Sequence, residues 1–219
     1  MITVTAFRWV PPFAQGLVRD HRVRWALEEV GLPYQEKLIG LGPEDQASEA
    51  YRHLQPFGQV PVYEEDGLTL FESGSIVLHI AEKSEVLMPR EPAARARAIT
   101  WMFAALNSIE PHIQNFTAID IFFANEEWAK LRRPSALQMA EKRLDELATW
   151  MKGREWLEDR FTAGDLLMVS VLRILRHTNL VAARPELEAY RQRGEARPAF
   201  QKALADQLAP FAKYAPQRM

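Results

Sequence analysis

The sequence predicts two successive domains: an α+β domain of order βαβαββα over residues 1–83, and an all-helical domain over residues 93–219. Three observations support this prediction. The first part alternates β-rich and helical runs and ends in a hairpin followed by a helix. The second part has only helical periodicity. A polar segment that contains two prolines, residues 84–92, separates the two parts and is interpreted as a linker.

The first four elements follow from alternation and from helix-ending residues. Ile2–Arg8 predicts a strand because apolar residues alternate with threonine. A helix is predicted from about Gln15 to Val30, because a glycine and then a proline follow, as is usual after a helix. The next two predicted elements are a strand over Tyr34–Ile39 and a polar helix of about ten residues from Gly42-Pro43 to Leu54.

A hairpin and a capped helix complete the first domain. Val60–Tyr63 and Leu68–Phe71 are β-rich runs separated by Glu-Glu-Asp-Gly, and Asp-Gly between apolar runs favours a tight turn. Ser73 precedes a helical pattern and is predicted to be its N-cap, where free N–H groups favour a bound carboxylate. The whole order, a parallel pair joined by a helix and then an antiparallel hairpin, is thioredoxin-like.

Pro61 suggests an opened backbone edge at the start of the hairpin. Proline cannot donate in a sheet ladder, so a turn is expected here and a cis Val60–Pro61 bond is possible. A cis bond would leave the Val60 N–H and C=O groups to pair with an extended peptide. With an acid at Glu72, a hydroxyl at Ser73 and a helix terminus, these are the parts of a small-peptide site.

The second domain is predicted from helical spacing. A long helix begins at Ala93 and is expected to kink at Pro111, ending either near Thr117 or as late as Phe123. Three further helices are predicted: Pro134 to Gly153, Pro185–Arg193 and Arg197–Leu208. A Thr-x-x-Asp capping box at Thr162 and Asp165 starts a helix that is apolar on most sides, and its role is structural.

Composition excludes several classes of function. The chain has 219 residues, 47% of them apolar and 26% charged, and its net charge is −2. These values fit a globular protein and argue against a nucleic-acid surface. No apolar run approaches the length of a membrane span, and the N-terminus lacks signal-peptide features, so a cytoplasmic location is expected. The chain contains no cysteine, which excludes disulfides and a cysteine nucleophile.

Gln59-Val60-Pro61-Val62 followed by Glu72-Ser73 resembles the glutathione-binding half of the glutathione S-transferase family. The capping box and the segment Ala-Arg-Pro-Ala-Phe-Gln-Lys-Ala-Leu near residue 200 extend this resemblance over nearly the whole chain. The resemblance implies that Val60, next to a cis Pro61, pairs with the cysteinyl backbone of glutathione. It implies that Glu72 and Ser73 hold the γ-glutamyl end and that Gln59 serves the glycyl side. It also implies a homodimer that uses glutathione as a cosubstrate without a metal.

The sequence departs from the family where the thiol-activating side chain belongs, just after the first strand. Between Phe7 and Val30 there is no Tyr, Ser, Thr or Cys. Pro-Pro-Phe-Ala-Gln at residues 11–15 resembles the Cys-Pro-Phe-Ala-Gln of omega-class members, with a proline in place of the cysteine. Three substitutes stay open: main-chain N–H groups around Phe13–Gly16, a cation from Arg19 or less favourably His21, and the indole N–H of Trp9.

The electrophile is expected to bind between the domains, and the candidate lining residues are Phe13, Phe103, Asn107 and His112. The predicted function is a glutathione S-transferase-like reaction in which glutathione thiolate attacks a small hydrophobic electrophile, by conjugation or a related substitution, isomerisation or peroxide reduction. The alternative is a non-catalytic glutathione-binding or stress-response protein on the same fold. Neither a nucleic acid nor a membrane is expected as a partner.

Overall fold

Four strands form one mixed sheet in the order β2-β1-β3-β4. Strand β1 (Ile2–Phe7) pairs in parallel with β2 (Tyr34–Ile39) and antiparallel with β3 (Tyr63–Glu65), which pairs antiparallel with β4 (Leu68–Leu70). The computed structural model describes residues 1–216. The predicted order βαβαββα and the all-helical part that follows it are confirmed.

The hairpin is tighter than predicted. Glu64 and Glu65 belong to the β3–β4 ladder, so the turn contains only Asp66 and Gly67, with φ values of 48° and 87°. Two positive φ values in a two-residue loop match the twist of a hairpin. The start of β3 is also later than predicted, because residues 60–62 form an irregular segment in which Val62 C=O accepts from Thr5 N–H at 2.8 Å.

Helix α1 (Asp20–Val30) begins later than predicted. Residues 12–19 form successive turns and a bend, and Gly16 has a φ of 77°, which a continuous right-handed helix cannot contain. Gly31, with a φ of 69°, ends α1 as predicted. The start of α1 therefore lies at Asp20 and not near Gln15.

Two corrections concern the helices around the hairpin. The predicted polar helix is two short helices, α2 (Pro43–Gln46) and α3 (Glu49–Leu54), because the Ser48 side chain caps a new start by accepting from Tyr51 N–H. Helix α4 (Ser73–Ala81) begins with Ser73 itself. Its N-cap is Glu72, not Ser73 as predicted, because Glu72 has the last non-helical backbone conformation before the helix.

The helices of the second part are α5 (Pro92–Phe103), a π-helical segment (Ala104–Ile109), α6 (Glu110–Phe122), α7 (Glu127–Met151), α8 (Ala163–Leu172) with a 3₁₀ turn (Arg173–Leu175), and α9 (Pro185–Glu195). The π-helical segment ends two residues before Pro111 and changes the hydrogen-bond register between α5 and α6. The kink expected at Pro111 stays a prediction. Helix α7 starts before Pro134, which lies inside it, so the prediction that Pro134 begins this helix was wrong.

The residues of the Thr162–Asp165 capping box are completely buried and hold three segments of the chain. Asp165 Oδ2 accepts from Thr162 N–H at 2.9 Å, and Asp165 Oδ1 accepts from Leu157 N–H at 2.8 Å and from Tyr190 O–H at 3.0 Å. Burial raises the pKa of Asp165 to about 6, against the effect of these donors. The start of α8, the preceding loop and α9 are thus joined through one carboxylate.

Contacts group the chain into two units that do not follow the linear order. The first unit contains residues 1–87 and those from Arg197 onward, and the second contains residues 88–196. Helix α10 (Pro198–Lys213) therefore packs with the sheet of the first unit, mainly against α1. The boundaries at 83 and 93 stay predictions, and they differ from this grouping most clearly in the place of α10.

Candidate functional site

The main chain at Val60 is available for pairing. The Val60–Pro61 bond is cis. The Val60 side chain is buried in a cluster with Phe7, Val10, Tyr51, Val62 and Phe211. Within residues 1–216, neither the N–H nor the C=O of Val60 forms a hydrogen bond. An extended peptide that lies beside Val60 can form hydrogen bonds with this N–H group and this C=O group, as an added strand does.

Glu72 has a strained backbone and an exposed carboxylate. Its φ of 66° and ψ of 112° lie in a region that residues with a Cβ rarely adopt, at a cost of roughly 1–3 kcal/mol. In the described part of the chain its carboxylate has no hydrogen-bond or ion-pair partner. Strain of this kind is typical of binding sites, because it fixes a group in the orientation that a ligand needs.

Ser73 follows directly and is buried at the first turn of α4. Its Oγ accepts a long hydrogen bond from Arg22 Nη1, at 3.4 Å. Arg22 projects from α1 and is itself buried. A hydroxyl, a buried guanidinium and the N–H groups of a helix start are together suited to a carboxylate ligand.

Sequence reasoning missed Arg22. A single arginine in a helical pattern does not indicate that it is buried, and its approach to Ser73 depends on how α1 packs against α4. The structure buries eight consecutive residues of α1, Asp20 to Leu27. An amphipathic pattern predicts burial of one face only, so the sequence contained no signal for the burial of Arg22.

Gln59 lies beside Val60 and is held by a tyrosine. The Gln59 C=O accepts from Tyr51 O–H at 2.6 Å, while its side-chain amide is exposed and without a partner among residues 1–216. Burial raises the pKa of Tyr51 to about 12, so the phenol stays a hydrogen-bond donor at neutral pH. Tyr51 thus fixes the loop from which Gln59 and Val60 present their polar groups.

The candidate thiol-activating residues lie on the loop before α1. Trp9 is half-buried and packs against the cluster that contains Val60, and its indole N–H makes no hydrogen bond within the described residues. Arg19 is half-buried at the N-cap position of α1. Of Trp9 and Arg19, only Trp9 is among the apolar side chains that pack against the cluster that contains Val60. His21 is buried and is not a surface residue.

The four electrophile-site candidates are divided between the units. Phe13 is exposed in the first unit. In the second unit, Phe103 is exposed at the end of α5, Asn107 is exposed in the π-helical segment, and His112 is half-buried in α6. A common site for the four residues stays a prediction.

A network of ion pairs and hydrogen bonds, most of it buried, connects the start of α1 to β2 and α10. Asp20 Oδ2 accepts from Arg24 Nε at 2.8 Å, and Arg24 Nη2 donates to Glu36 at 2.9 Å. Burial raises the pKa of Asp20, while Arg24 and the amide of Gln207 oppose that increase. Gln207, on α10, donates to Asp20 Oδ1 at 2.7 Å and to Val18 C=O at 3.1 Å.

Residues 1–216 provide neither a metal site nor a membrane-spanning helix. No group of three or more His, Asp or Glu side chains in this range is arranged to hold a metal ion. No helix in the same range combines the length and the apolar character needed to cross a bilayer.

Two family models match the chain, and together they cover most of it. The model described as "Glutathione S-transferase, N-terminal domain" matches residues 13–82, and the model described as "Glutathione S-transferase, C-terminal domain" matches residues 113–198. The chain belongs to the glutathione S-transferase family. The family resemblance predicted from Gln59-Val60-Pro61 and Glu72-Ser73 is therefore confirmed.

Relatives of this glutathione S-transferase family member are named for two kinds of chemistry. A "Glutathione S-transferase" from Hyoscyamus muticus is 28% identical over 196 residues, which are 84% of this chain and 91% of the relative. "Disulfide-bond oxidoreductase YfcG" from Escherichia coli is 26% identical over 149 residues, which are 62% of this chain and 68% of the relative. Reaction type is thus not uniform among the relatives.

Solved structures agree with the fold. A glutathione transferase from Burkholderia graminis, with two glutathione molecules bound per subunit, superposes with a TM-score of 0.81 at 26% identity, over 100% of this chain and 89% of that chain. A glutathione transferase from Pseudomonas putida, with one glutathione disulfide bound per subunit, gives a TM-score of 0.80 at 23% identity, over 93% of this chain and 90% of that chain. The second likeness concerns the fold alone.

Proposed function

We propose that this chain binds glutathione in its first unit and uses the thiolate to attack a small hydrophobic electrophile. The observation that carries the proposal is a set of polar groups without a partner within residues 1–216: the Gln59 amide, the Val60 main chain and the Glu72 carboxylate. Among these groups, the main chain of the buried Val60 is the one that water hydrates poorly, so a ligand that pairs with it recovers the cost of an unmet hydrogen bond. The Gln59 amide and the Glu72 carboxylate are exposed and offer direct contacts to a ligand. The glutathione bound in the Burkholderia graminis relative supports the same ligand.

Each group fits one part of the tripeptide. The Val60 N–H and C=O pair with the cysteinyl backbone in the manner of an added strand. Glu72 receives the γ-glutamyl ammonium, while Ser73 and Arg22 receive the γ-glutamyl carboxylate through charge-assisted hydrogen bonds. Gln59 serves the glycyl end. This assignment leaves the cysteinyl sulfur on the side of the loop before α1.

Catalysis requires that the bound thiol ionise near neutral pH, because the thiolate is the nucleophile. Lowering a thiol pKa from about 8.5 to about 6.5 needs roughly 2.7 kcal/mol in favour of the anion. Without a hydroxyl or thiol side chain on the loop, this preference comes from the Trp9 indole, from the Arg19 cation and from main-chain N–H groups. The N–H groups of Ala14, Gln15 and Leu17 do not contribute, because they already donate to C=O groups within the loop. The thiolate then forms a carbon–sulfur bond, and the leaving group departs with the electron pair of the bond that breaks.

A second reaction is favoured by the relatives named as disulfide-bond oxidoreductases. Because this chain has no cysteine, a mixed disulfide between protein and substrate is impossible. Disulfide or peroxide reduction would instead use the sulfur of glutathione, with two glutathione molecules oxidised to one glutathione disulfide for each bond reduced. A glutathione-binding protein without catalysis is the remaining alternative, and the missing hydroxyl is the feature that favours it.

Calorimetry and turnover together test the proposal. Glutathione and ophthalmate, its analogue without the sulfur, are titrated separately into the protein, and conjugation is assayed with a chlorodinitrobenzene. We expect both peptides to bind and only glutathione to react. Failure of both peptides to bind would refute the site. Binding without turnover on halide, enone, peroxide and disulfide substrates would favour the non-catalytic alternative.

Arg19→Ala is expected to raise the pKa of bound glutathione by about half a unit, because a half-buried cation near a thiolate favours the charged form. The measurement is a titration of thiolate absorbance in the complex. Arg160→Ala, at an exposed position of the second unit, is the control. An unchanged titration in Arg19→Ala would remove Arg19 from thiol activation and leave the main chain and Trp9.

The homodimer implied by the family is also proposed for this chain. Its arrangement would place the first unit of one subunit against the helices of the other. Analytical ultracentrifugation of the purified chain over a range of concentrations tests this directly, and a concentration-independent monomer would contradict it.

A further inference from the structure

Helix α10 reaches the loop from which the thiol must be activated, through one buried amide. Gln207 is almost completely buried, and its Nε2 donates both to Val18 C=O at 3.1 Å and to Asp20 Oδ1 at 2.7 Å. These two acceptors flank Arg19, the N-cap of α1. One side chain therefore links the last peptide of the loop to the first carboxylate of the helix.

The hydrogen bond from Gln207 to the Val18 C=O bears on the orientation of the Val18–Arg19 peptide. A trans peptide is planar, so its N–H points away from its C=O. The Val18 C=O also accepts from His21 N–H at 3.0 Å, so Gln207 and the turn before α1 together hold this carbonyl and, with it, the direction of the Arg19 N–H. Val18 also packs against the hydrophobic cluster of Val60, and Phe211 and Leu208 of α10 pack in the same cluster. Helix α10 thus fixes the loop and the Val60 segment relative to each other.

Burial of the Gln207 side chain has a cost in free energy. Its Oε1 is buried and has no hydrogen-bond partner in the described part of the chain. An apolar residue of similar size would avoid that unsatisfied oxygen and would fill the same space. An amide in this position is better explained by the two groups that it holds than by its contribution to packing.

We propose that Gln207 is a positioning residue that orients the start of α1 and the preceding loop towards the thiolate of bound glutathione. The inference rests on the proposed function and deepens it, since it assigns thiol activation to main-chain geometry. Gln207 acts through the Val18–Arg19 peptide and through Asp20, whose charge it partly compensates together with Arg24. It is not a catalytic residue, because nothing places it against the sulfur.

The test compares variants of the full chain by the pKa of the bound thiol. Gln207→Leu removes both hydrogen bonds and keeps the volume, and Gln207→Glu places a second carboxylate beside Asp20. We expect each to raise the pKa of bound glutathione by about one unit, a roughly tenfold loss of thiolate at a pH below both values. The affinity for ophthalmate, which lacks the sulfur, should change less than threefold. Gln207→Asn, whose amide is too short to reach both acceptors, provides the measurement if Gln207→Leu does not fold.

Two controls separate positioning from stability. Ala203→Gly weakens the same helix at a buried position outside the Val60 cluster and should lower the melting temperature without changing the thiol pKa. Gln192→Leu, on the exposed side of α9, should change neither. If Gln207→Leu lowers the melting temperature but leaves the thiol titration unchanged, the role of Gln207 is structural and the inference is wrong. If the unmodified chain binds neither glutathione nor ophthalmate, the proposed function itself fails.

Discussion

Replacing Glu72 and Ser73 together by alanine is expected to weaken glutathione binding about 100-fold or more. Each substitution removes a side chain that is proposed to hydrogen-bond a charged group of glutathione, and such bonds contribute roughly 1.5–3 kcal/mol each. The Glu72 carboxylate has no protein partner within residues 1–216, so its loss should act on binding and not on packing. Isothermal titration calorimetry with glutathione measures the effect.

The matched control for this variant is Glu44→Ala combined with Ser75→Ala. Glu44 is exposed in the first turn of α2, and Ser75 is exposed two residues beyond Ser73 in the same turn of α4. The control removes the same two side-chain types near the same kind of helix start. An equal loss of affinity in both double variants would contradict the assignment, as would retention of the Glu72/Ser73 double variant on immobilised glutathione.

Glu72→Gly separates binding from folding. Glycine adopts a φ of 66° without a steric penalty, so this variant should be more stable by about 1 kcal/mol while it binds glutathione more weakly. Chemical denaturation beside calorimetry tests both effects. A variant that is less stable than the parent chain would show that the side chain, and not the backbone, dominates the local free energy.

Asp165→Ala is expected to lower the free energy of unfolding by about 3–5 kcal/mol. The substitution leaves four buried donors without this acceptor: the N–H groups of Leu157 and Thr162 and the hydroxyl groups of Thr162 and Tyr190. Each such donor costs roughly 1–3 kcal/mol, and relief from burying a carboxylate offsets part of the sum. Equilibrium denaturation measures the change. Asp159→Ala, at an exposed position of the same loop, should have little effect.

The same carboxylate predicts a pH dependence with a definite sign. Burial raises the pKa of Asp165 from 3.8 to about 6, so between these values the folded state holds a proton that the unfolded state has lost. Its contribution to stability is therefore fully present below about pH 4 and decreases as the pH rises towards 6. The difference in unfolding free energy between the parent chain and Asp165→Asn should consequently shrink over this interval. A difference that grows with pH would contradict the raised pKa.

Local rules were sufficient where one short segment determines its own structure. The strand Tyr34–Ile39, the Asp-Gly turn and the Thr162–Asp165 capping box were all predicted, because each depends on residues within a few positions of one another. A helix start that depends on a single φ angle was not predicted correctly. Gly16 delays the start of α1, and nothing in the neighbouring residues indicates that this glycine has a positive φ.

Features that depend on packing between distant segments could not be predicted from periodicity. Pro134 lies within α7, because residues on both sides of it continue the helix and the loss of one N–H is tolerated there. Arg22 meets Ser73 only because α1 packs against α4, and Gln207 meets Val18 only because α10 packs against α1. The candidate site was therefore predicted in its loop residues and missed in the helices that support them.

The place of α10 also bears on the order in which the protein can form during translation. A ribosome releases residues 88–196 before it releases α10, and domains generally fold as units while synthesis proceeds. The helical unit can therefore be complete while the sheet still lacks the helix that carries Gln207 and Phe211. Until α10 emerges, the apolar cluster around Val60 lacks Phe211, so the first unit, which contains the proposed glutathione site, should be the last to mature.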